Sequence, residues 1–201
     1  MPGRVFLTSS LSEIAAWAGV SSPELDHAAR RNIAPGQQVL TMGPDRQLGH
    51  MRWGMIPVGR KNARGRPVMK TIANARSETV FDKSAFDGVG RAIVPVNGWY
   101  EWTGEVRRKT AWRIAPKDGG LIAFAAITDR WSGPGGATVD QIATVTCAPN
   151  DTVRDIHHRM GVILPKVLWG DWLDGKDVPL DPAPNDLLHV EPADDVDWDA
   201  P

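Results

Sequence analysis

Short runs of alternating or wholly apolar residues dominate this chain, broken by Gly, Pro, Asn and Asp. Such runs predict strands. They fall at Val39–Met42, His50–Ile56, Arg91–Val96, Trp99–Trp102, Ala111–Ile114, Leu121–Ile127, Gln141–Thr146 and Gly161–Leu164. Helical spacing is rarer. Leu11, Ile14, Ala15 and Ala18 form one stripe, with Ser10 and Glu13 placed as a capping box and Gly19 as the stop. Pro165 starts a second helix, continuing through Trp169 and Trp172. Ser77–Phe86 is mixed and reads as a helix with Val80, Phe81 and Ala85 inward. Asn32–Gly36 and Gly133–Gly136 read as turns, and Arg60–Pro67 as a loop. Many short strands with few helices predict an α+β domain built on a curled sheet or open barrel.

Composition narrows the class. The chain has 201 residues, 42% of them hydrophobic, enough for one domain with its own core. No apolar run approaches the roughly 20 residues of a membrane span, and no hydrophobic leader opens the chain. Cys147 is the single cysteine, which excludes an internal disulfide and a multi-cysteine zinc site. A cytoplasmic location follows as the expectation. Nine tryptophans against one tyrosine demand packing or planar partners.

Charge divides the chain. From Asp171 onward ten acidic residues face one base, Lys176, for a net charge of −9; the remainder, with 22 basic and 14 acidic residues, carries +8. The expected organisation is a domain over residues 1–174 and an acidic, Pro/Asp-rich, irregular tail over 175–201. Between Asp45 and Glu78 no acidic residue occurs, while Arg46, Arg52, Arg60, Lys61, Arg64, Arg66, Lys70 and Arg76 do, interleaved with Trp53, Met55 and Met69. Cations attract phosphates, and aromatic or apolar groups stack on bases. A solvated basic loop is the plainer reading of the same residues.

Four polar clusters lie beside strand ends: Pro2-Gly3-Arg4, Asn74 to Thr79, Asn97 to Trp102, and Asp155 to Met160. Each has a structural reading, with Asn74 capping a turn, Glu101 pairing with an arginine, and His157 satisfied in the core. Together they offer a carboxylate, an imidazole and an amide for proton transfer and orientation. Glu101 lies between Trp99 and Trp102, where desolvation raises a carboxyl's pKa. His157 and His158 are adjacent and lack metal-site spacing, and nothing suggests an organic cofactor.

These stretches resemble the SOS-response-associated peptidase family, the abasic-site-processing proteins. The matching segments are Gly3-Arg4, Asn32-Ile33-Ala34-Pro35, Arg52-Trp53-Gly54-Met55-Ile56-Pro57, Asn74-Ala75-Arg76-Ser77-Glu78-Thr79, Gly98-Trp99-Tyr100-Glu101-Trp102 and Ile156-His157-His158-Arg159-Met160, spread over residues 2–173 in the family's order. The resemblance implies a curled antiparallel β core with flanking short helices. It also implies a groove for single-stranded DNA and a covalent crosslink to the abasic aldehyde through the amine and thiol of a cysteine at position 2. By resemblance, Asn74 orients the reacting end, Glu101 exchanges protons at the opening sugar, and His157 assists imine chemistry. Arg4, Arg76 and Arg159 match positions that hold the DNA backbone, and Asn32 and Thr146 line the same groove. A monomer, cytoplasmic and nucleoid-associated during DNA damage, is the expected form.

The family's cysteine is here Pro2. Without the thiol the family's thiazolidine cannot form, and Cys147, after an apolar strand, reads as a small buried hydrophobe. Two readings follow. Either the covalent step is lost and the chain only binds DNA, or removal of Met1 exposes the Pro2 amine, which condenses with the aldehyde to an imine. Gly161 also replaces a usual proline, and the tail lacks the family's Asn-rich end. Two other classes compete: a peptidase (hydrolase) using Glu101 and His157, and a non-catalytic single-stranded-DNA-binding module. Lyase-type chemistry belongs to the imine reading.

Overall fold

The structure, a computed structural model, describes residues 2–56, 71–83, 86–105 and 108–199. The basic loop with Arg60, Lys61, Arg64 and Arg66, together with Met69, Lys70 and Ala85, lies outside the described residues. In chain order the strands are β1 (Arg4–Leu7), β2 (Arg30–Ile33), β3 (Gln38–Met42), β4 (Leu48–Trp53), β5 (Asn74–Arg76), β6 (Gly90–Val96), β7 (Gly98–Thr103), β8 (Thr110–Pro116), β9 (Ile122–Ser132), β10 (Thr138–Cys147), β11 (Met160–Gly161) and β12 (Leu188–Pro192). Among the described residues two short α-helices, α1 (Leu11–Ala18) and α2 (Trp169–Leu173), flank them.

The strands form two sheets. One is antiparallel, in the order β12-β8-β7-β1-β2. In the other, β10, β4, β3, β6 and β9 pair in sequence and β9 returns to β10, which closes a five-strand ring. The curled β core with short helices is thus the fold, and the ring is shut by a parallel contact of β10 with β4. The far half of β10 runs on past β4. There it takes β5 on one edge, Thr144 against Asn74, and β11 on the other, Thr146 against Gly161. Two of the polar clusters are therefore set on either side of one strand.

The α1 helix begins and ends as its sequence dictates. The Glu13 N–H donates to Ser10 Oγ, the Ser10 N–H donates to the Glu13 carboxylate, and Gly19 closes the helix at φ 76°. Three expectations are corrected. Residues 77–82 are turns, not a helix: the Ser77 N–H donates to the Thr146 carbonyl, Glu78 is drawn to Arg159, and Phe81 is exposed. Asn32 and Ile33 end β2 rather than opening a turn. The acidic end is not irregular throughout, since β12 pairs along β8 from Leu188 to Pro192.

One hydrophobic core cluster joins the first sheet, the ring and both helices. Side-chain alternation sends Val5, Leu7 and Trp99 inward, while Phe6 and Tyr100 face the outer side, where Ala193 and Val196 cover them. Two glycines mark close approaches. A Cβ on Gly161 would stand 2.5 Å from the Phe124 ring, so the glycine makes room for that ring. On Gly98 it would stand 2.4 Å from the Ile114 carbonyl and 2.6 Å from Phe6. Gly98→Ala should lower the unfolding free energy by about 2–3 kcal/mol, read from the urea midpoint, because backbone cannot yield as a side chain can.

Candidate functional site

Asn74 is held by two partners. Thr144 Oγ1, facing it from β10, donates to Asn74 Oδ1 at 2.5 Å. The amide nitrogen is thereby turned toward the amino end of the chain, where Asn74 Nδ2 donates to the Pro2 carbonyl at 3.1 Å. Pro2 is buried. From it β1 runs antiparallel to β7 with Arg4 opposite Tyr100 and Val5 opposite Trp99, so the residues before Arg4 continue past Glu101.

Glu101 is 3% exposed. Burial pushes its carboxyl up to about 7, and the positive charge of the amino terminus pulls the other way. His157 ends a turn whose N–H donates to the Val153 carbonyl at 2.9 Å. Its Nδ1 stands 3.0 Å from the Arg159 N–H, and its ring stacks on His158 with centroids 4.3 Å apart. Desolvation first, then the amino-terminal charge, lowers His157 to about 4. The same terminal charge acts on both groups, so carboxyl, imidazole and amide converge on the amino end. At neutral pH the set offers a carboxyl able to give a proton and an imidazole able to take one.

The other sequence-predicted residues divide. Arg76 is exposed beside Asn74 on β5 and free to meet solvent-borne charge. Arg159 is differently employed: its guanidinium, 10% exposed, forks onto the Glu78 carboxylate and donates to the Thr146 carbonyl. Arg159 lowers Glu78 to about 2 through that side-chain hydrogen bond. Trp53 is 1% exposed and its indole N–H donates to the Ala73 carbonyl at 2.9 Å, so the ring props the approach to Asn74 and offers no face to a base. Thr146 is buried with its hydroxyl donating to the Ala75 carbonyl at 3.1 Å. Arg4 and Asn32 meet each other, Nη1 to Oδ1 at 2.6 Å, and Asn32 Nδ2 donates to the Trp198 carbonyl at 2.9 Å. Arg4 lies opposite outward-facing Tyr100, whereas alternation turns Glu101 the other way.

Sequence reasoning missed Thr144 and the task of Glu78. The signal for Thr144 was a hydroxyl two residues before Thr146, hence on the same face of the strand; for Glu78 it was the acid that ends a long acid-free stretch. Burial raises the Cys147 thiol to about 11, which leaves it inert as a nucleophile. Among the described residues no group of three His, Cys, Asp or Glu side chains is placed to hold a metal, and no helix is long and apolar enough to cross a membrane.

Comparison with known proteins gives a consistent answer. The family model described as SOS response associated peptidase (SRAP) matches residues 1–200. Abasic site processing protein YoqW of Bacillus subtilis (strain 168) is 32% identical over 206 residues, covering 98% of this chain and 90% of the relative. Abasic site processing protein HMCES of Mus musculus is 28% identical over 183 residues, covering 76% of this chain and 51% of the relative. A crystal structure of a Bordetella bronchiseptica protein superposes with a TM-score of 0.78 at 25% identity, covering 95% of this chain and 99% of that one.

Proposed function

The chain belongs to the SOS response associated peptidase (SRAP) family, and from that premise we propose that it acts on abasic sites in single-stranded DNA through imine chemistry at Pro2. The observation that carries this is the convergence of Asn74, Glu101 and His157 on the buried amino end of the chain. Removal of Met1 makes the Pro2 nitrogen a secondary amine. An α-amine has a pKa near ~7.7–8.0, so part of it is neutral and nucleophilic at pH 7.

The amine nitrogen adds to the aldehyde carbon of the open sugar, and its proton passes to the new alkoxide, giving a carbinolamine. Glu101, holding a proton near neutral pH, donates it to that hydroxyl, which leaves as water while the nitrogen lone pair forms the iminium C=N bond. Water can add back and release the aldehyde. Alternatively His157, neutral, takes a proton from the carbon next to the iminium, and the 3′ phosphate leaves by β-elimination. Asn74, locked by Thr144, orients the proline end against the sugar. Arg76 supplies an exposed cation for the phosphates.

The one thiol is buried with its pKa raised to about 11, which leaves a cysteine peptidase without its nucleophile, so hydrolysis of peptides is the weaker reading. The test is the intact mass of the protein after incubation with an abasic single-stranded oligonucleotide, with and without borohydride. We expect an adduct only after reduction, on protein lacking Met1. No adduct in either sample would leave DNA binding without chemistry.

A further inference from the structure

The outer side of the first sheet, away from Glu101, is covered by the end of the chain itself. After β12 the backbone turns, and Trp198 packs edge-on to Tyr100 with centroids 4.9 Å apart and against Trp102 at 5.2 Å. Asp195 sits between two cations, with Arg113 Nη2 at 2.5 Å and Arg31 Nη1 at 3.5 Å. Asn32 Nδ2 donates to the Trp198 carbonyl at 2.9 Å, and Asn32 in turn accepts from Arg4. Carboxylates on cations and an indole on aromatic rings are what a single-stranded nucleic acid offers with phosphates and bases.

We infer that the sheet face formed by Arg31, Asn32, Tyr100, Trp102 and Arg113 is a docking surface for single-stranded nucleic acid, and that residues 193–199 occupy it as a built-in competitor. The strap carries Asp194, Asp195, Asp197 and Asp199 and no base. Its hold is releasable. The Arg31 side chain is 71% exposed and Asp195 more than half exposed, so their pair is screened and weak, and Arg113, the closer partner at 20% exposed, keeps Glu191 of β12 at 2.8 Å when Asp195 leaves. Only Ala193 and Val196 are buried in it. This reading rests on the DNA-binding function proposed above.

Displacement of the strap has a direct readout. In the full chain, the substitutions Asp195→Asn and Trp198→Ala together remove the carboxylate and the indole but leave β12 intact. Binding of an oligothymidine at about 50 mM salt should tighten about tenfold if the strap covers the surface nine-tenths of the time. The salt slope should steepen by about 0.7, since Arg31 is freed while Arg113 keeps the Glu191 carboxylate of β12. On the unsubstituted protein, hydrogen exchange at residues 193–199 should speed up when saturating oligothymidine is added. That second measurement does not depend on the variant folding. Equal affinity of variant and parent, or exchange at 193–199 that stays unchanged or slows on saturation, would overturn the strap while leaving DNA binding in place. If neither protein binds the oligonucleotide, the DNA reading falls and the strap with it.

Discussion

Glu101→Gln is expected to make the protein more stable at neutral pH while removing the imine chemistry we propose. The carboxyl is raised from 4.5 in the unfolded chain to about 7 in the fold, and burial is the cause. Between those values the unfolded state releases the proton and the folded state keeps it. The folded state then binds more protons, so stability falls as pH rises through this window. The whole effect, about 3 kcal/mol at ~1.4 kcal/mol per pKa unit, is present above pH 7 and absent below 4.5. Glutamine keeps the shape of the neutral acid. Urea unfolding at pH 7.5 should therefore show a gain of about 2–3 kcal/mol, and at pH 4.5 almost none. Borohydride-trapped adduct should fall about a hundredfold or more, the usual worth of a general acid. A variant that is less stable at both pH values would contradict the buried, partly protonated carboxyl.

His157 acts with the opposite sign. Its pKa falls from 6.5 to about 4, with desolvation the largest cause. The unfolded chain binds the extra proton in that interval, so the contribution of His157 is present above 6.5 and lost as pH falls toward 4. The two slopes oppose each other between about 4.5 and 6.5. The parent protein should show a nearly flat stability profile there, and Glu101→Gln should expose a profile that rises with pH. The same opposition sets the chemistry: at pH 7 the carboxyl retains about half its protons while the imidazole has none to give.

How much of this could be read from the residues depends on the range of the forces involved. The α1 cap is local, and Ser10, Glu13 and Gly19 announce it. Asn74, Glu101 and His157 read singly as structural residues, and only the resemblance of their motifs to the family's singled them out together. Arg159 was not: its charge suggests phosphate, but Glu78, 81 residues away, already occupies the guanidinium. Trp53 looked like a stacking platform until burial filled both its faces. Parallel closure of the ring joins Gln141 to Arg52, a contact no local pattern encodes. Composition marked the acidic end as solvated, yet Leu188, Ala193 and Val196 are enough apolar positions to seat it on the sheet.

The fork between Glu78 and Arg159 should respond unequally to the loss of either end. Glu78→Ala leaves a guanidinium that is 10% exposed with the Thr146 carbonyl and hydroxyl as its remaining partners. Breaking a fully buried pair costs about 3–5 kcal/mol; the Glu78 side chain is 53% exposed, which screens the attraction and reduces the expected loss to about 2 kcal/mol. Arg159→Met leaves a carboxylate that water can solvate, and the Thr146 carbonyl keeps the Ser77 N–H. The expected loss is about 1 kcal/mol or less, with the methionine filling the space. The parent should also lose part of this support in acid, since Glu78 is depressed from 4.5 to about 2 and its contribution disappears as pH falls through that interval. DNA binding separates this role from phosphate contact. Arg159→Met should leave the salt slope of oligonucleotide affinity unchanged, whereas Arg76→Met should flatten it by about 0.7, one phosphate contact's worth on a single strand. Because the Arg159 backbone also holds His157 Nδ1, both fork variants should still reduce the trapped adduct. A reduced salt slope in Arg159→Met would show that the guanidinium leaves Glu78 for the DNA, and the fork would then be a resting arrangement of the site.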